Sequence, residues 1–144
     1  MRYLLDTNVF REIQKGPAGH RNVRAWLDGV DDDAVWLSVM MILEISRGIA
    51  KLARTKPEAA AAIRERFDSV AAAYVGRIAE IDGEVAAEWG RLQGEKDKHR
   101  DDLAFVATAR VRYMVLVTRN VDDVRGRGVR VLDPFKASPA IEEV

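Results

Sequence analysis

Two apolar segments of this sequence lead directly into side chains that could hold a cation. YLL (3–5) runs into Asp6, and MVLVT (114–118) is followed by Asn120 and Asp123. Because an isolated buried charge is very costly, a carboxylate at such a junction must be solvated, hydrogen-bonded or bound to a cation. Asp is also a favoured helix N-cap. Asp6 is therefore a candidate cap and a candidate cation ligand, and the choice depends on whether other acids meet it.

Two further acids stand in helical segments. Glu44 lies in the apolar first half of VMMILEISRGIAKLAR (39–54), and Asp102 opens the helical segment LAFVATARVRY. Each also has an interpretation without chemistry. Glu44 could face solvent beside Arg47 as an i, i+3 pair, Asp102 could cap its helix, and Asp123 could be an ordinary turn residue. None of these signals is specific alone.

The elements that must position these acids alternate between strands and helices. The pattern predicts strands at 3–5, 34–38, 77–81, 114–118 and 129–133, and helices at 23–29, 39–54, 58–75, 84–95 and 103–113. Such alternation is typical of one α/β domain with a mostly parallel sheet of about five strands. We expect the domain to cover 1–135 and a tail to cover 136–144. Ligands of such sheets bind at the carboxyl ends of strands, where Asp6 and Asn120 fall.

Composition narrows the class of protein. The chain has 144 residues, 48% apolar and 32% charged, which is typical of one globular domain. It contains no cysteine, which excludes disulfides and thiolate metal sites and fits a reducing cytoplasm. No segment is apolar enough for a membrane span, and His20 and His99, the two histidines, are expected at the surface.

Charge gives a weaker hint about partners. The formal net charge is zero, but residues 91–130 carry ten Lys and Arg against six Asp and Glu. A basic C-terminal half is compatible with an anionic partner. Solvated helix faces would explain the same surplus.

Four ordered motifs together resemble the PIN-domain family, and within it VapC-type toxins of the FitB-like branch. They are LLDTNV (4–9), LSVMMILEISRGI (37–49), DLAFVATA (102–109) and LVTRNVDDV (116–124). RIAEID, VAAEWGRL and the closing GVRVLDPF match in order as well, so the resemblance spans nearly the whole chain. It implies a three-layer α/β/α fold and a metal-dependent ribonuclease site using Mg²⁺ or Mn²⁺.

The resemblance also implies the site residues. Asp6, Glu44 and Asp102 match the first three acids, and Asp102 is preferred over its neighbour Asp101 because it lies six residues before Thr108. The fourth contact could be Asn120 directly, Asp123 through water, or neither. Side chains expected to orient the carboxylates through hydrogen bonds are Thr7, Asn8 and Thr118. Side chains that could contact the RNA backbone are Arg47, Lys51 and Arg119.

The activity implied is hydrolysis of tRNA or rRNA by a metal-activated water, leaving a 5′-phosphate and a 3′-hydroxyl. The partners implied are a cognate VapB-like antitoxin, a second copy of the chain in a homodimer, and a larger hetero-oligomer that meets operator DNA only through the antitoxin.

Two alternative functions remain. An aspartyl-phosphate phosphatase would need Asp-x-Asp, where this chain has Asp6-Thr7-Asn8; a decayed scaffold acting through protein binding would have little reason to keep the three acids.

Overall fold

A computed structural model describes residues 1–144, and its centre is a six-stranded sheet. The strands are β1 (Tyr3–Leu5), β2 (Val35–Ser38), β3 (Ile78–Ala79), β4 (Val115–Val117), β5 (Arg130–Leu132) and β6 (Ile141–Glu143). They are ordered β3-β2-β1-β4-β5-β6. All neighbours pair in parallel except β5 and β6. The predicted mostly parallel α/β fold is confirmed, with one strand more than expected.

Six helices cover the sheet. They are α1 (Thr7–Gln14), α2 (Arg21–Asp28), α3 (Val39–Ala53), α4 (Pro57–Ala71), α5 (Gly83–Glu95) and α6 (Arg100–Val111). Local signals set their starts: the Ser38 hydroxyl accepts from the Met40 N–H at 3.0 Å, and the Asp82 carboxylate accepts from the Val85 N–H at 3.0 Å. Helix α3 packs on α1 and α4, and α5 packs on α6. These two groups cover opposite faces, as right-handed crossovers require.

Strand order reverses at β1, which lies between β2 and β4 at the centre of the sheet. The chain leaves β1 at Asp6 and β4 at Thr118. The Asp6 N–H still donates to the Val117 carbonyl at 2.9 Å, so these two strand ends are held side by side. An open α/β sheet has its ligand crevice at such a reversal, outside the carboxyl ends of the strands.

The structure differs from the sequence prediction in four places. Residues 7–14, for which no helix is predicted, form α1 directly after Asp6. Residues 136–144, expected as a tail, contain β6, which pairs antiparallel with β5 at the sheet edge. The predicted strand 77–81 shortens to the two residues of β3. Helix α6 begins at Arg100 rather than at Asp102, which therefore lies in the first turn and does not cap the helix. None of the helices has the length and apolar character that crossing a bilayer would demand.

Candidate active site

Asp6 is fixed in the crevice by three hydrogen bonds. It is 8% exposed. One carboxylate oxygen accepts from the Thr7 N–H at 2.7 Å, which caps α1, while the other accepts from the Thr118 hydroxyl at 2.6 Å and the Asn8 amide at 3.3 Å. Burial raises the pKa of Asp6 above its ordinary value despite these bonds. The cap interpretation is therefore correct and does not exclude a role as a cation ligand.

Glu44 projects toward Asp6 from the second turn of α3. Its carboxylate accepts from the Thr7 hydroxyl at 2.5 Å, so Thr7 connects the two acids. Burial, and then the nearby charge of Asp6, raise the pKa of Glu44. The alternative pairing with Arg47 does not form, because that guanidinium lies 3.6 Å from Asp101 instead.

Asp102 faces the same cluster from the first turn of α6. Its side chain is 29% exposed. Burial, followed by the negative charges of Asp6 and Asp123, raises the pKa of Asp102 to about 6, and His99 offsets part of that effect. The geometry therefore gives two pairs of acids: Thr7 joins Asp6 to Glu44, and His99 lies between Asp102 and Asp123. The charges of Asp6 and Glu44 act on Asp102, which links the two pairs electrostatically.

The two candidates for the fourth contact differ in place. Asp123 lies in the short 3₁₀ turn Val121–Val124, and its carboxylate acts on Asp102. Asn120 is exposed, and its backbone N–H donates to the Thr118 hydroxyl at 3.0 Å. The Asn120 side chain makes no hydrogen bond to the acids. Because Asp123 lies close enough to Asp102 to affect its pKa and the Asn120 side chain makes no hydrogen bond to the acids, Asp123 is the better placed of the two for the fourth contact.

His99 lies at this crevice, although the sequence predicts an ordinary surface residue. It has a left-handed backbone, φ 54°, immediately before α6. One ring nitrogen is 3.9 Å from an Asp102 oxygen, and the other is 3.8 Å from an Asp123 oxygen. The sequence holds no direct signal for this, since His99 falls in the charged stretch GEKDKHRDD, which is typical of a solvated loop.

Arg127 holds the loop that carries His99. Its side chain is buried, 8% exposed, and donates to the carbonyls of Leu92 at 2.9 Å and Lys96 at 2.7 Å. A cation at the C-terminal end of α5 is favourable because the last carbonyls carry partial negative charge. Arg127 thus ties the end of α5 to the loop before α6 and helps to fix where His99 stands.

Basic side chains lie near the acids without forming ion pairs to them; the charge of Arg11 acts on Asp6 and Glu44. Arg47 and Lys51 lie one turn apart on exposed positions of α3. The Arg119 guanidinium stacks 4.6 Å above the ring of Phe135. Neither Arg nor Lys forms an ion pair with Asp6, Glu44, Asp102 or Asp123; the charged contacts of Asp102 and Asp123 are to His99 alone.

The donor set fits a hard divalent cation. Like charges gathered in a partly buried crevice repel one another, and a cation relieves that repulsion. Carboxylate oxygens are the ligands that Mg²⁺ and Mn²⁺ prefer. In addition, the side-chain oxygen of Asn8 is buried without a hydrogen-bond partner beside Asp6, which is compatible with a further polar group at this place.

A family model for the PIN domain matches residues 3–125. The chain therefore belongs to the PIN domain family, as its motifs predict. It is 30% identical over 138 residues to Toxin FitB of Neisseria gonorrhoeae, covering 92% of this chain and 97% of that protein. It is 25% identical over 139 residues to VapC ribonuclease Y4jK of Sinorhizobium fredii, covering 92% and 97%. A solved structure of FitAB bound to an IR36 DNA fragment superposes with TM-score 0.80 and 29% identity, covering 94% and 97%.

Proposed function

We propose that this chain is a metal-dependent endoribonuclease toxin of the VapC and FitB type. The observation that carries the proposal is that Thr7 joins the carboxylates of Asp6 and Glu44 and His99 lies between those of Asp102 and Asp123. None of these four acids forms an ion pair with arginine or lysine. Similarity to a protein named as a toxin and to one named as a ribonuclease supports the reaction class. RNA phosphates and the carboxylates of the crevice are both negatively charged and repel one another. A bound cation would allow a phosphate to enter the crevice.

In this proposal Asp6 and Asp102 hold Mg²⁺ or Mn²⁺ directly and Glu44 acts in part through water. Such an ion supplies a hydroxide-like nucleophile and neutralises charge on the scissile phosphate. Thr118 and Thr7 keep the carboxylates of Asp6 and Glu44 in fixed orientations through their hydroxyl donors. Asp123, rather than Asn120, completes the acidic set.

The proposed partners follow from the same similarity. We expect a cognate antitoxin of the VapB kind to bind this chain and suppress cleavage. We also expect a homodimer of the chain, a larger hetero-oligomer with the antitoxin, and contact with operator DNA through the antitoxin. The proposed substrate is tRNA or rRNA.

Cleavage assays on total tRNA and structured rRNA fragments test the proposal. We expect the purified chain to cut RNA with Mg²⁺ or Mn²⁺ and to lose this activity in chelator, because hydrolysis depends on the bound ion. Mapping the product ends should give a 5′-phosphate and a 3′-hydroxyl. A folded protein that neither cuts RNA nor gives heat on Mn²⁺ addition would favour the scaffold alternative.

The basic rim gives a prediction about RNA affinity. Arg47→Ala and Arg119→Ala should each weaken RNA binding. Each should also reduce the steepness of log affinity against log salt concentration by about 0.7 to 0.9, which is the contribution of one phosphate contact. Arg64→Ala is the matched control for Arg47→Ala, since Arg64 is likewise a helical arginine whose contact is with one aspartate, Asp68, at 3.8 Å. Fluorescence anisotropy with labelled RNA at several salt concentrations measures the slope. An unchanged slope would remove the residue from the RNA path.

A further inference from the structure

His99 is the histidine of this chain whose ring lies against two site carboxylates. Its nitrogens and the Asp102 and Asp123 oxygens offer three potential ligand atoms that all lie within 4.8 Å of one another. At metal–ligand bonds of about 2.0 to 2.2 Å, two atoms on one ion are at most about 4.4 Å apart. The distance between one ring nitrogen and the Asp102 oxygen, 3.9 Å, falls within that limit. The other ring nitrogen lies 3.8 Å from the Asp123 oxygen, so each carboxylate faces a different nitrogen of the ring.

The contacts of the His99 ring in this structure are with the two carboxylates, and the ring does not serve as a helix cap. Its side chain is 32% exposed. It does not cap α6, and the charged groups that it faces are the same two carboxylates. The other histidine differs: the His20 ring accepts from the Asn22 N–H at 3.2 Å as the cap of α2 and packs on Phe135. The two histidines can therefore be compared directly.

We propose that His99 is a nitrogen ligand at the acidic crevice, forming with Asp102 and Asp123 a position that binds Mn²⁺ in preference to Mg²⁺. This inference rests on the proposed function, because the two aspartates belong to its metal site. Both ions prefer oxygen ligands, but Mg²⁺ is held by carboxylates, phosphates and water, whereas Mn²⁺ is a first-row transition ion whose affinity for a nitrogen ligand is the greater of the two. One ring nitrogen binds the ion, and the other remains free to donate to a carboxylate, as is usual for metal-bound histidine.

The variant His99→Asn tests this inference without disturbing the backbone. Asn is among the residues that adopt positive φ most readily, so the left-handed position before α6 is retained while the ring is lost. His20→Asn is the matched control, because Asn is a favoured N-cap and should maintain α2. Circular dichroism melting of both variants establishes that they are folded.

Pulsed electron paramagnetic resonance on the full chain, with Mn²⁺ as the sole added metal, supplies a measurement independent of activity. We expect wild type and His20→Asn to show modulation from a directly bonded ¹⁴N nucleus, and His99→Asn to lack it. By calorimetry, His99→Asn should bind Mn²⁺ at least about tenfold more weakly, the scale found for perturbed metal sites. Its Mg²⁺ affinity should change little.

Two results separate this inference from the proposed function. Suppose first that the wild type binds Mn²⁺ and cleaves RNA with metal. The role of His99 is then overturned, and the nuclease left intact, if no ¹⁴N nucleus is bonded to the ion, if the ¹⁴N modulation persists in His99→Asn, or if that variant binds Mn²⁺ as tightly as wild type. Wild-type protein that binds no Mn²⁺ at all would overturn both.

Discussion

Asp6→Asn is expected to reduce RNA cleavage by about 100-fold and to weaken calorimetric Mn²⁺ binding by about 10-fold or more. The substitution removes one negative charge from the centre of the crevice and keeps the shape of the side chain. The amide oxygen introduced by this change can still accept from the Thr7 N–H or the Thr118 hydroxyl, whose distances to Asp6 are 2.7 and 2.6 Å. Loss of activity should therefore reflect the missing charge.

Stability provides the internal check on this variant. Burial raises the pKa of Asp6, which means that its ionised form is unfavourable in the folded protein. Without metal, the relief of this charge in Asp6→Asn opposes the loss of a hydrogen bond that the new NH2 group cannot accept, which costs about 1 to 3 kcal/mol. The unfolding free energy of the variant should therefore stay within about 2 kcal/mol of that of wild type. Urea unfolding in chelator, followed by circular dichroism, measures the difference.

Asp122→Asn is the matched control for the same chemical change. The Asp122 side chain is 91% exposed, one residue before Asp123, and pairs with Arg125 at 3.0 Å on the surface. Exposed pairs contribute little, so this variant should cut RNA and bind Mn²⁺ as wild type does. If Asp6→Asn also retained full cleavage, the cation would have to be held elsewhere and the proposed site would be wrong.

The parts of the site that could be predicted are those with a local signal. A carboxylate directly after an apolar strand indicates Asp6, and an acid among apolar helix residues indicates Glu44, because in both places burial conflicts with charge. The strand and helix alternation then places both at one edge of the sheet. Asp102 has no such local signal; it is preferred over Asp101 because the PIN-domain pattern that the sequence resembles places an acid six residues before Thr108, and the helix starts two residues earlier, at Arg100.

His99 and Arg127 could not be predicted because their roles depend on contacts distant in sequence. The left-handed φ of His99 directs its ring toward the crevice, and a single residue in that conformation leaves no pattern in the sequence. Arg127 looks like one more charged loop residue until its donors meet carbonyls 31 and 35 residues away. Strand β6 was missed for a related reason: its IEEV sequence resembles a solvated end, and pairing with β5 is what makes it a strand.

The pH dependence of stability should have opposite signs with and without metal. In metal-free protein, the pKa of Asp102 is about 6, compared with 3.8 as its ordinary value. An acid whose folded pKa is raised takes up its proton in the folded state first, so its destabilising effect is complete above about pH 6 and disappears as the pH falls toward about 4. The raised pKa values of Asp6 and Glu44 act in the same direction.

Metal-free unfolding free energy should therefore rise between about pH 7 and about pH 5. The contribution of Asp102 is bounded by about 3 kcal/mol, the free-energy equivalent of raising its pKa from 3.8 to about 6. Glu88 does not interfere in this range: arginine contacts lower its pKa to about 2 from 4.5, so its stabilising effect is lost only at more acidic pH. Asp102→Asn should reduce the rise by the contribution of that residue, and Asp122→Asn should leave it unchanged.

Saturating Mn²⁺ should reverse the slope, because a cation binds ionised carboxylates and must displace any proton they carry. At a concentration about 100 times its Kd the ion adds about 2.7 kcal/mol to stability. That gain shrinks as acid weakens the affinity, so the loaded protein should lose stability between about pH 7 and about pH 5 while the metal-free protein gains it. Urea titrations at three pH values, in chelator and in Mn²⁺, measure both slopes. Parallel slopes would mean that the ion is not bound by these carboxylates, since only a shared site makes protons and metal compete.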